Sequence, residues 1–152
     1  MNNMDDTLVS IITPVYNSEI YISENIRSIQ SQTYTNWEHL LVDDCSTDGS
    51  VALIRTFQEE DPRIRYQRLE TNSGAGIARN KAIALAQGRY IAFLDSDDLW
   101  HPEKLEKQVA FMQRNEYHFT FTDYNMVNTD GQKLSKYIKC KPFVTYKSAL
   151  YK

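Results

Sequence analysis

Cysteine is scarce in this chain. Its two cysteines, Cys45 and Cys140, stand far apart and lack metal-ligand spacing. That excludes a disulfide framework and predicts a reducing compartment. No apolar run approaches the ~18 residues of a membrane span. The opening residues, Met1-Asn2-Asn3-Met4-Asp5-Asp6, are polar and acidic, unlike a signal peptide. Basic charge is not in excess: 17 Lys and Arg against 20 Asp and Glu give a formal net charge of -3. Nucleic acid is therefore not expected as a partner. Internal repeats, low-complexity segments and linkers are also lacking. Together these absences predict a cytoplasmic protein.

What remains is ordinary globular material. The 152 residues suffice for one domain with a real core, and 41% of them are hydrophobic. Strand-like runs are predicted at Leu8 to Val15, Glu38 to Asp43, Ile64 to Leu69 and Tyr90 to Leu94. Helical spacing is predicted between them. Ser18 to Gln32 carries Ile22, Ile26 and Ile29 on one face, with Ser18 or Ser23 as cap. Asp48 to Glu60 is stopped by Pro62. Ile77 to Gln87 is Ala-rich, with Gly88 as its left-handed C-terminal residue. A fourth helix is predicted from Pro102, in its first turn, to Arg114. This alternation predicts an α/β fold with a mostly parallel sheet flanked by helices. Phe119 to Val127, an Asp130-Gly131 turn and Lys133 to Ile138 predict a late antiparallel hairpin. The expected organisation is a tail over 1–7, one domain over 8–138 and an ambiguous segment over 139–152.

Gly88-Arg89-Tyr90-Ile91-Ala92-Phe93-Leu94-Asp95-Ser96-Asp97-Asp98 carries the strongest chemical signal. A strand expected to be buried ends in three carboxylates within four residues. Such carboxylates repel one another unless a cation sits among them. Hard oxygen ligands suit Mg²⁺ or Mn²⁺, commonly shared with substrate phosphates. The alternative is a solvated acidic turn capping a helix. Two other strands end in Thr13-Pro14-Val15-Tyr16-Asn17 and in Asp43-Asp44-Cys45-Ser46-Thr47-Asp48-Gly49-Ser50. In a parallel sheet these ends share one edge, where open α/β folds place ligands. Tyr16 offers an aromatic face for a base, Asp44 an acceptor for a ring N–H, and Asp95 and Asp97 ribose and metal contacts. The plainer readings are Tyr16 in the core and Ser46-Thr47-Asp48 as a helix cap.

These motifs, with Asn72-Ser73-Gly74 and Ala78-Arg79-Asn80 between them, resemble the inverting family 2 glycosyltransferases of the GT-A fold. They occur in family order over about residues 8 to 125. The resemblance implies a donor site in which Pro14, Val15 and Tyr16 cradle the base and Tyr16 stacks on it. It implies that Asp44 accepts the N3–H of uracil and that Asp43 supports the turn. Asn72, Gly74 and Ser96 are implied donor-binding residues, Arg79 lies near the donor, Asp95 is directed toward the ribose, and Asp97 ligates Mn²⁺ or Mg²⁺. The implied partners are a nucleotide-sugar, most simply a UDP-sugar, and a glycan or glycolipid acceptor in envelope polysaccharide synthesis.

Family members continue past this length, into a region that carries the general base. Asp123 and Asp130 are carboxylates without a matching motif, so the chain reads as the donor-binding half of a longer enzyme. A non-catalytic nucleotide-sugar-binding fragment is the alternative. A haloacid-dehalogenase-type phosphatase would want its Asp-x-Asp at the first strand, and a dinucleotide-binding fold would want Gly-x-Gly-x-x-Gly after it. Neither pattern is met. From Gly131 to Lys152 six lysines occur without Asp or Glu, interleaved with Tyr137, Phe143, Tyr146 and Tyr151. They read as guards of an edge strand, or as a surface meeting anionic lipid at the inner membrane face or another chain. His39, His101 and His118 read as structural or surface residues. Trp100 reads as packing beside the acidic loop, with a sugar platform as the alternative.

Overall fold

In a computed structural model, described here for residues 7–128 and 132–140, the chain divides into two compact units, Met1–Phe111 and Met112–Lys152. The predicted Asp130-Gly131 turn, and Phe143, Tyr146 and Tyr151, lie outside the described residues.

The first unit is built on four parallel strands: β1 (Val9–Val15), β2 (Trp37–Asp43), β3 (Ile64–Arg68) and β4 (Tyr90–Phe93), in the order β3-β2-β1-β4. β1 is central, pairing Val9 with Trp37 on one side and with Tyr90 on the other. Every residue of β1 and β2 is buried, as expected for strands covered on both faces. On one face Val9, Ile11 and Val15 pack with Ile22, Ile26 and Ile29 of α1 (Ile22–Gln30), Ile54 of α2 (Ser50–Glu60), and Leu105 and Val109 of α4 (Lys104–Asn115). Each fully buried aliphatic side chain there contributes roughly 1.5–3 kcal/mol. On the other face Ile12, Leu40 and Val42 meet Ala78 and Ala82 of α3 (Ala75–Leu85). The methyl side chains let α3 lie close to the sheet.

Two polar pairs lie inside the sheet, while Nδ1 of His39 has no hydrogen-bond partner among the described residues. Glu38 accepts from Ser10 Oγ at 2.6 Å, from the Gln87 N–H at 2.7 Å and from Arg65 at 2.5 Å. Burial alone would raise its carboxyl, but these bonds more than offset that and hold it below the usual range. His39 is fully buried, with Nε2 2.9 Å from Thr13 Oγ1. Burial pushes its pKa down to about 3.

Several local expectations are corrected. α1 begins at Ile22, after Tyr21, and neither Ser18 nor Ser23 caps it by a side-chain bond. The Ser18 carbonyl instead accepts from the Tyr21 and Ile22 N–H groups. α3 ends at Leu85 with Ala86 extended, and Gly88 is not left-handed. Gly88 is needed for space: a Cβ there would stand 2.6 Å from Ser10 N and 2.7 Å from the Leu8 carbonyl oxygen. Pro102 precedes α4, which starts at Lys104, and its carbonyl accepts from the Thr33 N–H. β4 is only half-buried. Tyr90 and Ala92 face the core, while Ile91 and Phe93 are 41% and 53% exposed. Among the described residues β4 is a sheet edge, and α3 packs chiefly on β1 and β2. α2, by contrast, does stop before Pro62, whose ring favours the extended Asp61 (φ -134°, ψ 106°).

The second unit holds β5 (Tyr124–Val127) and β6 (Lys133–Ile138), an antiparallel pair. β5 is shorter than the expected Phe119 start, because residues 118–123 make no ladder.

Candidate donor site at the carboxyl edge of the sheet

Three loops leave the same edge of the sheet and are tied together by short polar side chains. After β1, Asn17 adopts φ +47°, a conformation asparagine tolerates better than most residues. Its N–H donates to Ser46 Oγ at 3.0 Å, and its Oδ1 accepts from the Thr47 N–H at 2.9 Å. The Ser18 N–H donates to Ser50 Oγ at 2.8 Å. The loop after β1 is thus stitched to the loop after β2. Asp48 also serves this seam, accepting from the Ser50 and Glu19 N–H groups.

The two aspartates ending β2 have different tasks. Asp43 is fully buried, accepts from the Ser46 N–H with both oxygens, and lies 3.5 Å from Arg68 Nε. It supports the turn from beneath and does not line the pocket. Asp44 faces the cleft edge. Its carboxylate accepts from the Ser73 N–H at 2.6 Å and the Gly74 N–H at 2.7 Å. Asn72 returns a bond from Nδ2 to the Asp44 carbonyl at 3.1 Å. Gly74, at φ +86°, then starts α3, a conformation glycine adopts without strain. Asn72 and Gly74 therefore shape the rim without lining the pocket.

The acidic turn after β4 is held from α1. Asn25, fully buried, donates from Nδ2 to the Asp95 carbonyl at 2.9 Å and to the Asp98 carbonyl at 2.8 Å. The Asp98 N–H closes the turn on the Asp95 carbonyl at 3.0 Å. Ser96 Oγ lies 2.8 Å from Ser18 Oγ, which also donates to the Tyr16 carbonyl at 3.2 Å. Arg79, from α3, pairs with the Asp95 carboxylate at 2.5 Å. The Asp97 carboxylate has no hydrogen-bond or ion-pair partner among the described residues. Partial burial, then the charges of Asp97 and Asp95, raise the Asp98 carboxyl above its ordinary value.

Pro14, Val15, Tyr16, Asp44, Arg79, Asp95, Ser96 and Asp97 line one pocket of about 220 Å³, together with Ala75. Tyr16 is 53% exposed and belongs to the pocket, not the core. Sequence reasoning missed Ala75, Asn17, Ser18 and Asn25. The contacts of Ser18 and Asn25 to the acidic turn carry no local signal, because Ser96 lies 78 positions from Ser18 and Asp95 lies 70 from Asn25. Trp100 is outside the pocket. It packs on the core, and Lys104 Nζ sits 3.5 Å from its ring centroid. Burial lowers the Lys104 ammonium to about 8. In the second unit, Asp123 accepts from the Tyr137 hydroxyl and from the Cys140 N–H. Those bonds, the tyrosine's first, hold its carboxyl below the usual range.

A divalent cation fits this donor set as a shared ligand. The groups offered are hard carboxylate oxygens, with Asp97 unpartnered. No three His, Cys, Asp or Glu side chains converge into a cage among the described residues. Such a site leaves most coordination positions to substrate oxygens and water, as Mg²⁺ commonly requires.

A parallel sheet order of 3-2-1-4 flanked by helices, with this cleft at its carboxyl edge, is the GT-A architecture. The chain belongs to glycosyl transferase family 2, which it matches over residues 10–150. It is 48% identical over 143 residues to TuaG of Bacillus subtilis, a protein named for a glycosyltransferase of teichuronic acid biosynthesis, covering 94% of this chain and 57% of that one. It is 46% identical over 128 residues to WfgD of Escherichia coli, named UDP-Glc:alpha-D-GlcNAc-diphosphoundecaprenol beta-1,3-glucosyltransferase, covering 84% and 50%. The chain thus spans about half the length of these curated relatives. Among solved structures, S. aureus TarS 1-349 in complex with UDP superposes with a TM-score of 0.68 at 37% identity, over 71% of this chain and 32% of that one. The mannosyltransferase PcManGT from Pyrobaculum calidifontis, in complex with GDP-Man and Mn²⁺, gives 0.65 at 29% identity, over 68% and 32%. Among the described residues no helix is long and apolar enough to cross a membrane.

Proposed function

We propose that this chain forms the donor-binding portion of an inverting glycosyltransferase. The donor is a nucleoside-diphosphate sugar, a UDP-sugar before others. The acceptor is a glycan or glycolipid of the cell envelope. The observation that carries the reading is one pocket in which an exposed aromatic ring, a rim carboxylate, an arginine and two turn carboxylates meet. Tyr16 supplies a stacking face for the base, and Asp44 accepts its ring N–H. Asp95 receives the ribose side, with Ser96 beside it. Arg79 contributes a planar donor suited to phosphate oxygens. Asp97, with Asp95 beside it, would hold Mg²⁺ or Mn²⁺. When bound, such an ion neutralises charge that develops on the diphosphate leaving group.

Inversion requires a single displacement. The acceptor oxygen forms its bond to the anomeric carbon as the carbon–oxygen bond to the diphosphate breaks, and the acceptor proton passes to a base. Asp123 already accepts from the Tyr137 hydroxyl and from the Cys140 N–H, which argues against it as that base. The same observation favours the second reading, nucleotide-sugar binding without transfer by residues 1–152. The lipid-linked acceptor in the name of the E. coli relative supports a glycolipid acceptor, and hence work at the inner membrane face.

A thermal-shift panel of UDP, CDP, ADP and GDP, each with and without Mn²⁺, tests the reading. UDP with Mn²⁺ should stabilise most, by about 2.7 kcal/mol at a hundredfold excess over Kd. Asp97→Ala should lose the Mn²⁺-dependent part while its own stability stays within about 0.5 kcal/mol. If no nucleoside diphosphate shifts the melting temperature, the donor assignment is wrong. Glycosyl transfer measured with the 152-residue chain would decide against the binding-only reading.

A further inference from the structure

The acidic turn carries its own positive charge. Arg79 reaches across from α3 to the Asp95 carboxylate at 2.5 Å, and both side chains line the pocket. The two ends of this pair are anchored differently. The turn bearing Asp95 is fixed through its backbone, by the Asn25 amide and by the Ser18–Ser96 contact. Arg79 stands on a helix whose start is fixed by Asp44, through the Gly74 N–H. Between these two fixed points the flexible part is the arginine side chain. The pair is also partly exposed, at 35% and 51%, so little free energy holds it closed.

We propose that Arg79 is a resident counter-cation that changes partners when ligand binds. This rests on the donor-site reading above and extends it to the order of events. In the free protein the guanidinium neutralises Asp95, so a divalent cation meets one carboxylate, Asp97, without a partner among the described residues, and one already paired. A positive side chain beside the turn also repels the incoming ion. A diphosphate offers Arg79 an equally bidentate partner with more negative charge than a single carboxylate. Once Arg79 turns to the phosphate oxygens, the negative charge of Asp95 is no longer neutralised beside the cation held by Asp97. Cation and diphosphate therefore assist each other, and by linkage the assistance is equal in both directions. Arg79 serves here as a gate on cation affinity as well as a donor contact.

The test is Mn²⁺ binding by the full 152-residue chain, followed by electron paramagnetic resonance, alongside calorimetry with UDP. Wild type is compared with Arg79→Gln and Arg79→Lys. Arg79→Gln should bind Mn²⁺ alone about 1.5- to fivefold more tightly than wild type, the range expected for release of an exposed ion pair. It should bind UDP without metal about tenfold or more weakly, as a lost charged hydrogen bond predicts. Arg79→Lys keeps the charge and should stay near wild type for Mn²⁺ alone. An Arg79→Gln protein that binds Mn²⁺ alone no more tightly than wild type overturns the exchange. Failure of wild type to bind UDP overturns the donor reading, while the Mn²⁺-only comparison still reports whether Arg79 opposes the cation.

Discussion

Asn25 donates from inside α1 to the Asp98 carbonyl at 2.8 Å, and the same nitrogen reaches the Asp95 carbonyl at 2.9 Å. A residue in the first half of the fold thus sets the shape of a turn that follows the fourth strand. Asn25→Ala would leave both carbonyls without this donor, at about 1–3 kcal/mol. The fold should survive with a lower denaturation midpoint. Affinity for uridine, which lacks phosphates, should be unchanged, while the gain that Mn²⁺ gives to UDP binding should fall. A variant with lower stability but the full Mn²⁺ gain would show that Asn25 supports the fold alone.

Asp44→Asn should weaken nucleotide binding and loosen the 72–74 loop together. The carboxylate is buried, with two backbone N–H groups on it. An amide keeps one oxygen and turns an NH₂ toward one of those donors, at about 1–3 kcal/mol. Calorimetry with UDP, CDP and ADP should show the largest loss for UDP. Equal losses across the three bases would assign Asp44 to loop support only.

Two glycines should respond in opposite senses to alanine. At Gly88 the new methyl meets backbone atoms of Leu8 and Ser10 inside 3 Å, and overpacking of this kind costs roughly 1–3 kcal/mol. At Gly76, within α3, a Cβ meets nothing within 4 Å. Removing unfolded-state freedom there should stabilise by about 0.4–1 kcal/mol. Chemical denaturation of both variants checks the contrast, and a neutral Gly88→Ala would contradict the close approach of residue 88 to β1.

His39 should make stability fall with acid. Its folded pKa of about 3 lies below the ordinary 6.5, so the unfolded chain takes the proton first. The stability is fully present above about pH 6.5 and is lost progressively as pH falls toward 3. The slope approaches about 1.4 kcal/mol per pH unit at its steepest. Between pH 4.5 and 6.5 His39→Gln should flatten that slope. An unchanged slope in the variant would place the acid sensitivity elsewhere.

The parts of this fold legible in the sequence are those with short-range causes. Val9 to Val15 reads as a buried strand because its apolar run is local, and α2 ends before Pro62 because the proline acts on its immediate neighbour. The pocket was legible because Tyr16, Asp44 and Asp95 each follow a strand, and parallel strands deliver their ends to one edge. What stayed hidden depends on partners distant in sequence. Gly88 follows a helix and so suggests a helix terminator, yet its role is set by Leu8 and Ser10. Ser18 precedes a helix and so suggests a cap, yet its hydroxyl is turned to Tyr16 and Ser96. Ile91 and Phe93 suggest a buried strand, but their exposure follows from strand order, which no local pattern encodes.

That strand order also imposes a sequence of assembly. β1 is made first, yet one of its two edges pairs with β2 and the other with β4, with Tyr90 opposite Val9. As the chain leaves the ribosome, the first three strands can pair while the far edge of β1 waits. The Tyr16 wall of the pocket and its Asp95 wall therefore exist apart until the last parallel strand docks. Such long-range closure is slow relative to local pairing. The capacity to hold a ligand would then arise late, only once all four described parallel strands have paired.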